Sequence, residues 1–141
     1  MFGNILVAID IEDNDGWWKL LEQALACIDR DSGKLRLLYT RLELPHSWRN
    51  FTPANFDVAE QEKSEKKLEE IARLVDFPAD RVSFVVRAGS VYDEILQEAE
   101  SCKADLVVIG PHRLNGLESL LLGSSASAIV RHAKMPVLVV R

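Results

Sequence analysis

The chain has 141 residues, 48% of them apolar, with 17 Lys+Arg against 22 Asp+Glu for a formal net charge of −5. That length points to one domain, residues 1–141, which would bury roughly two-thirds of the surface its unfolded form exposes. The acidic balance and the absence of a basic block argue against a nucleic-acid surface, and the first apolar run stops at Asp10, far short of a membrane span or signal segment.

The predicted elements alternate strictly. Ile5 to Ile9 is a short continuous apolar run, as a central parallel strand should be, and the acidic turn Asp10 to Asp15 follows. Trp17, Leu20, Leu21, Ala24, Leu25 and Ile28 recur at helical spacing up to the break at Asp31-Ser32-Gly33. Leu35 to Thr40 is the second strand. Residues 41–56 hold Pro45, His46, Trp48 and Pro53 without a clear period and read as a partly ordered surface loop or lid. A charged helix from about Asp57 to Val75 comes next, with Leu68, Ile71, Leu74 and Val75 expected inward and an i,i+4 pair at Glu69 and Arg73.

Val82 to Arg87 is the third strand, and Gly89-Ser90 leads into a helix with Val91, Ile95, Leu96 and Ala99 inward. Leu106 to Ile109 is the fourth strand. Gly123-Ser124-Ser125 opens a last helix ending near Lys134, and Pro136 introduces a final strand, Val137 to Val140. Five strands alternating with four helices predict an α/β fold, a five-stranded parallel doubly wound (Rossmann-like) sheet with helices on both faces. Cys27 and Cys102 form no C-x-x-C pair and stand away from any histidine, so they read as buried helix residues in a reducing compartment. The expected location is the cytoplasm.

The run from Asp105 to Ser127 carries the chemistry. A strand ending in Gly110 lets the backbone turn sharply and leaves room for a bulky ligand. A Gly-Ser-Ser helix start offers free N–H groups, hydroxyls and the positive end of a helix dipole, which together suit a phosphate. On residues alone, each piece has a plainer role beside that one. Asp10 would serve as a helix cap or a solvated turn residue, Gly123-Ser124 as an N-cap, and Trp17 and Trp18 as packing or interface residues.

Asp10 at the end of the opening strand, A-G-S at 88–90, A-D-L-V-V-I-G at 104–110, L-L-G-S-S at 121–125 and the closing M-P-V-L-V-V-R together resemble the universal stress protein family, a UspA-type domain, over essentially the whole chain. The nucleotide-binding branch of that family carries G-x2-G-x9-G-[S/T]; here the run is Gly110-x2-Arg113-x9-Gly123-Ser124, with the spacing kept and the middle glycine replaced.

The resemblance implies a nucleotide across the carboxyl ends of the first and fourth strands, where the sheet reverses its winding. Ala8, Ile9 and Asp10 match the segment that meets ribose and adenine, with Asp10 accepting from ribose hydroxyls, and Thr40 matches the position whose backbone pairs with the adenine edge. Ile109, Gly110, His112 and Arg113 match the first phosphate-side turn, and Gly123, Ser124 and Ser125 the second, with Arg113 either a charged phosphate ligand or a plug. The implied ligand is ATP, or AMP or ADP, with Mg able to accompany it. The implied assembly is a homodimer through Val137, Leu138, Val139 and Val140, an apolar edge that needs cover.

Three functions follow as expectations. The first is a nucleotide-binding regulatory module whose occupancy alters the 41–56 loop. The second is a nucleotide-free stress-response dimer that works through a protein partner, favoured by Arg113. The third is a slow ATP-hydrolysing or phosphoryl-transfer enzyme, for which there is no G-x4-G-K-[S/T] and no nucleophile elbow, so no catalytic residue is assigned.

Overall fold

The computed structural model describes residues 1–43, 46–110 and 124–141. Its strands are β1 (Asn4–Ala8), β2 (Lys34–Arg41), β3 (Val82–Ala88), β4 (Leu106–Ile109) and β5 (Val137–Val139), joined by helices α1 (Gly16–Cys27), α2 (Phe56–Leu74), α3 (Val91–Ser101) and α4 (Ser124–His132). Every pairing is parallel and the strand order is β3-β2-β1-β4-β5. The fold expected from the sequence is therefore the fold observed. Winding runs outward from β1 to β3, returns to β4 on the other side of β1, and ends at β5.

Strand alternation divides the core into two layers. On one face Ile5, Val7, Leu35 and Leu37 pack against Leu20, Leu21 and Ala24 of α1 and Leu68 and Ile71 of α2. On the other, Leu6, Leu38, Val107 and Ile109 pack against Ile95 and Ala99 of α3 and Ala126 and Ile129 of α4. β1 lies between two strands and is covered on both faces, so Ile5, Leu6 and Val7 are all buried. That is why a continuous apolar run, rather than an alternating one, marks it.

At the amino ends of the strands the Asp105 carboxylate clamps β1 to β4. Its Oδ2 accepts the Gly3 N–H at 2.9 Å and its Oδ1 the Asn4 N–H at 2.9 Å. Lys103, with φ 54°, turns the chain out of α3 just before.

Several local expectations need correction. Leu74 is 57% exposed, because the inward stripe of α2 runs through Ser64, Leu68 and Ile71 and leaves Leu74 on its outer flank. Residues His46–Phe51 of the expected loop form a short 3-10 turn. Val140 lies beyond β5, although its N–H still donates to the Ile109 carbonyl at 2.8 Å. Cys27 and Cys102 are half-buried rather than buried, each sitting at the end of its helix where the layer opens. Trp17 is buried while Trp18 is half exposed, and their rings stack with centroids 4.7 Å apart.

Candidate functional site

Parallel strands that reverse their winding leave a crevice at their carboxyl ends, because the helices on either side leave in opposite directions. Here it is a cleft of about 400 Å³, within the size range of small-molecule sites. Ala8, Ile9, Asp10, Thr40, Ile109 and Gly110 all line it. His112, Arg113 and Gly123 lie outside the described residues. Ser124 and Ser125 open α4, whose Ala126 and Ile129 line the same cleft, so the amino end of that helix borders it.

The cleft has two characters. On the α3 and α4 side its wall is apolar, made by Ala8, Leu38, Ile95, Ile109, Ala126 and Ile129. Toward the β1–α1 turn it is acidic, with Asp10, Glu12 and Asp13. The Asp10 Oδ1 accepts the Glu12 N–H at 3.0 Å, while Asp13 Oδ1 accepts the N–H of Gly16, the first residue of α1, at 3.2 Å. Asp10 therefore does not cap α1, whose N-cap is Asp15, and the Asp10 carboxylate serves the acidic turn. Burial pushes the Tyr39 phenol above its ordinary range, and the nearby charges of Glu12 and Asp10 push the same way. Lys19 and Arg141 bring positive charge to the rim.

Gly110, just past β4, lies close against the Leu20 side chain, which would have to give a few tenths of an ångström to admit a β-carbon. A β-carbon there would stand 3.3 Å from Leu20 Cδ2 and 3.7 Å from the Val140 carbonyl oxygen.

Two buried side-chain polar atoms have no hydrogen-bond partner among the described residues, Trp17 Nε1 and Thr40 Oγ1, and both residues line this cleft. Buried polar groups are nearly always paired. These two border the cleft from opposite faces of the sheet, Trp17 from the α1 layer and Thr40 from the α3 and α4 side.

Sequence reasoning missed an ion-pair network on the α3 face of β2 and β3, running from Arg36 to Arg87, the register partner of Thr40. There Glu98 of α3 is 5% exposed and held between two arginines, accepting from Arg36 Nε at 2.7 Å and from an Arg87 terminal nitrogen at 2.8 Å. Arg87 also donates to Glu94 at 2.6 Å and to Gln97 at 3.0 Å, and these carboxylates, Glu94 foremost, hold its guanidinium pKa up. Arg36 between Leu35 and Leu37, Arg87 after Val85 and Val86, and an acid three residues after Ile95 on an inward helix face were the available signal. Cys102 adjoins this network, and burial raises its thiol pKa, with Glu98 adding to the effect, so it is a poor nucleophile.

Residues 1–141 match the model described as the universal stress protein family. The chain belongs to that family. It is 33% identical over 147 residues to Universal stress protein G of Escherichia coli O157:H7, with all of both chains covered. Among solved structures, the universal stress protein UspA from Lactobacillus plantarum superposes with a TM-score of 0.75 at 25% identity, covering 99% of this chain and 97% of that one. A universal stress protein from Archaeoglobus fulgidus in complex with dAMP has the same fold, with a TM-score of 0.62, 19% identity and coverage of 99% and 98%. Membership makes this a stress-response protein of the doubly wound type. Among the described residues no helix is long and apolar enough to cross a membrane.

Proposed function

We propose that this universal stress protein binds an adenine nucleotide, ATP foremost, in the cleft at the carboxyl ends of β1, β2 and β4, and acts as a dimeric binding module in the stress response. The observation that carries the reading is the convergence of a strand-terminal glycine, the amino end of α4 and an apolar wall on one recess at the winding reversal. Asp10 accepts from the ribose hydroxyls, the Thr40 backbone meets the base, and Ile109, Gly110 and the first amides of α4 take the phosphates. The family motif adds His112, Arg113 and Gly123 to the phosphate side. The fold is one in which an Archaeoglobus relative holds dAMP.

Dimerisation is proposed through β5, an edge strand whose half-buried Val137, Leu138 and Val139 have β4 on one side only among the described residues. Val139→Lys should shift a sedimenting dimer to monomer, and a wild type that sediments as a monomer at micromolar concentration overturns the interface.

A second reading has its own observation. Asp10, Glu12 and Asp13 crowd the cleft that a polyphosphate must share, which favours a nucleotide-free dimer acting through a protein partner. The exposed Leu42, Trp48 and Phe51 of the 41–56 segment offer that partner an apolar surface. Calorimetric titration with ATP, with and without Mg, decides between the two. Saturable binding, or nucleotide released on denaturation and seen at 260 nm, supports the first; a flat titration with no released nucleotide supports the second.

A further inference from the structure

Thr40 stands at the carboxyl end of β2, two residues beyond Leu38, so strand alternation places both on the α3 and α4 face of the sheet. Arg36, two residues before Leu38, confirms the facing, since its guanidinium meets Glu98 of α3. The cleft wall on that face is apolar, made by Ala8, Leu38, Ile95, Ile109, Ala126 and Ile129, and Arg87, in register with Thr40 on β3, is taken up by Glu94 and Glu98. The Thr40 hydroxyl is buried and unpartnered among the described residues. The other orphan, Trp17 Nε1, belongs to the opposite layer of the core.

A threonine in such a wall is a costly choice, because valine has nearly the same shape and leaves no hydroxyl unpaired. An apolar wall carrying one hydroxyl without a partner among the described residues suits the polar edge of a flat heteroaromatic ring better than a phosphate. Resting on the nucleotide reading above, we propose that the Thr40 side-chain hydroxyl is a specificity-determining contact to the base, beyond what the backbone at this position provides. The base completes a hydrogen bond that no described residue makes.

The test compares wild type, Thr40→Val and Thr40→Ser by calorimetric titration with ATP and with adenosine, and by thermal unfolding without ligand. Thr40→Val should bind both ligands about tenfold more weakly, the worth of one hydrogen bond, while unfolding at the wild-type temperature or above. Thr40→Ser should bind as wild type does. The proposal is overturned if Thr40→Val keeps its affinity, if it unfolds earlier without ligand, if only ATP binding suffers, or if serine fails as valine does. A wild type that binds neither ligand overturns the nucleotide reading and this inference together, whereas a binding wild type with an indifferent valine variant overturns this inference alone.

Discussion

Arg36 and Thr40 sit on the same face of the same strand, and the sheet treats them in opposite ways. Near the amino end, Arg36 donates to Glu98 at 2.7 Å and to the Ser83 hydroxyl at 3.0 Å, and the recess of about 320 Å³ beside it is crossed by ion pairs. At the carboxyl end the recess is larger, about 400 Å³, and the buried Thr40 hydroxyl has no partner among the described residues. On this face Arg36 and Arg87, the latter in register with Thr40, are satisfied by α3 carboxylates, whereas no described residue answers the Thr40 hydroxyl. The difference separates what holds the fold from what is left available to a ligand.

The sharpest way to break this contrast is at Glu98. Glu98→Ala leaves Arg36 and Arg87 without their shared carboxylate. Because both guanidinium groups retain some solvent, the expected cost is about 2–3 kcal/mol, below the full loss for a deeply buried pair. Urea unfolding followed by circular dichroism measures it, and a cost under about 0.5 kcal/mol, the level of an exposed pair, would erase the distinction between these arginines and Thr40.

Next in size is Gly89, at the carboxyl end between β3 and α3. Its φ of +144° is one that side chains rarely adopt, and an added β-carbon would meet Glu94 Oε1 at 2.8 Å. Gly89→Ala should cost about 1–3 kcal/mol. The same unfolding assay would show that the carboxyl end carries backbone constraint even though the Thr40 hydroxyl there has no partner among the described residues.

Alkaline pH probes the acidic side of the cleft. Burial, with Glu12 and Asp10, raises the folded pKa of Tyr39 above its unfolded value near 10. The stability linked to this group is therefore fully present below that pH and is lost as pH rises through the folded pKa. Unfolding free energy should fall in that window in the wild type and less steeply in Tyr39→Phe; equal slopes would remove Tyr39 as the cause. The smallest effect belongs to a pair at neither end: Glu69→Ala removes the exposed 2.7 Å contact to Arg73 on α2 and should cost about 0.2–0.5 kcal/mol.

The fold was legible because β1 and β4 are buried on both faces and spell out as unbroken apolar runs, Ile5 to Ile9 and Leu106 to Ile109. Periodicity failed where two flanks of a helix compete. Leu74 and Ser64 both fit the helical spacing of α2, and packing buried the serine and exposed the leucine. The 3-10 turn at His46–Phe51 has no period to read. Of the cleft, the strand-end residues were legible from Gly110 and Asp10. The walls from α3 and α4 were not, since Ile95 and Ile129 look like any inward helix residue until the topology sets them beside Leu38. The Glu98 network was hidden for the opposite reason: a glutamate on a charged helix reads as solvated unless the two arginines facing it are known to share its layer.

The Asp105 clamp ties Asn4 to a residue 101 positions away, and the cleft is bounded by the two strands it joins. β1, β2 and β3 pair in succession, whereas β4 must return across a long stretch of chain, the kind of closure that is expected to come late in folding. Until β4 docks, β1 is an open apolar edge able to recruit a strand from another molecule. A ligand that recognises only the closed arrangement would hold that seam shut by mass action, so occupancy of the cleft would also protect the protein from aggregating in the conditions to which a stress-response protein is exposed.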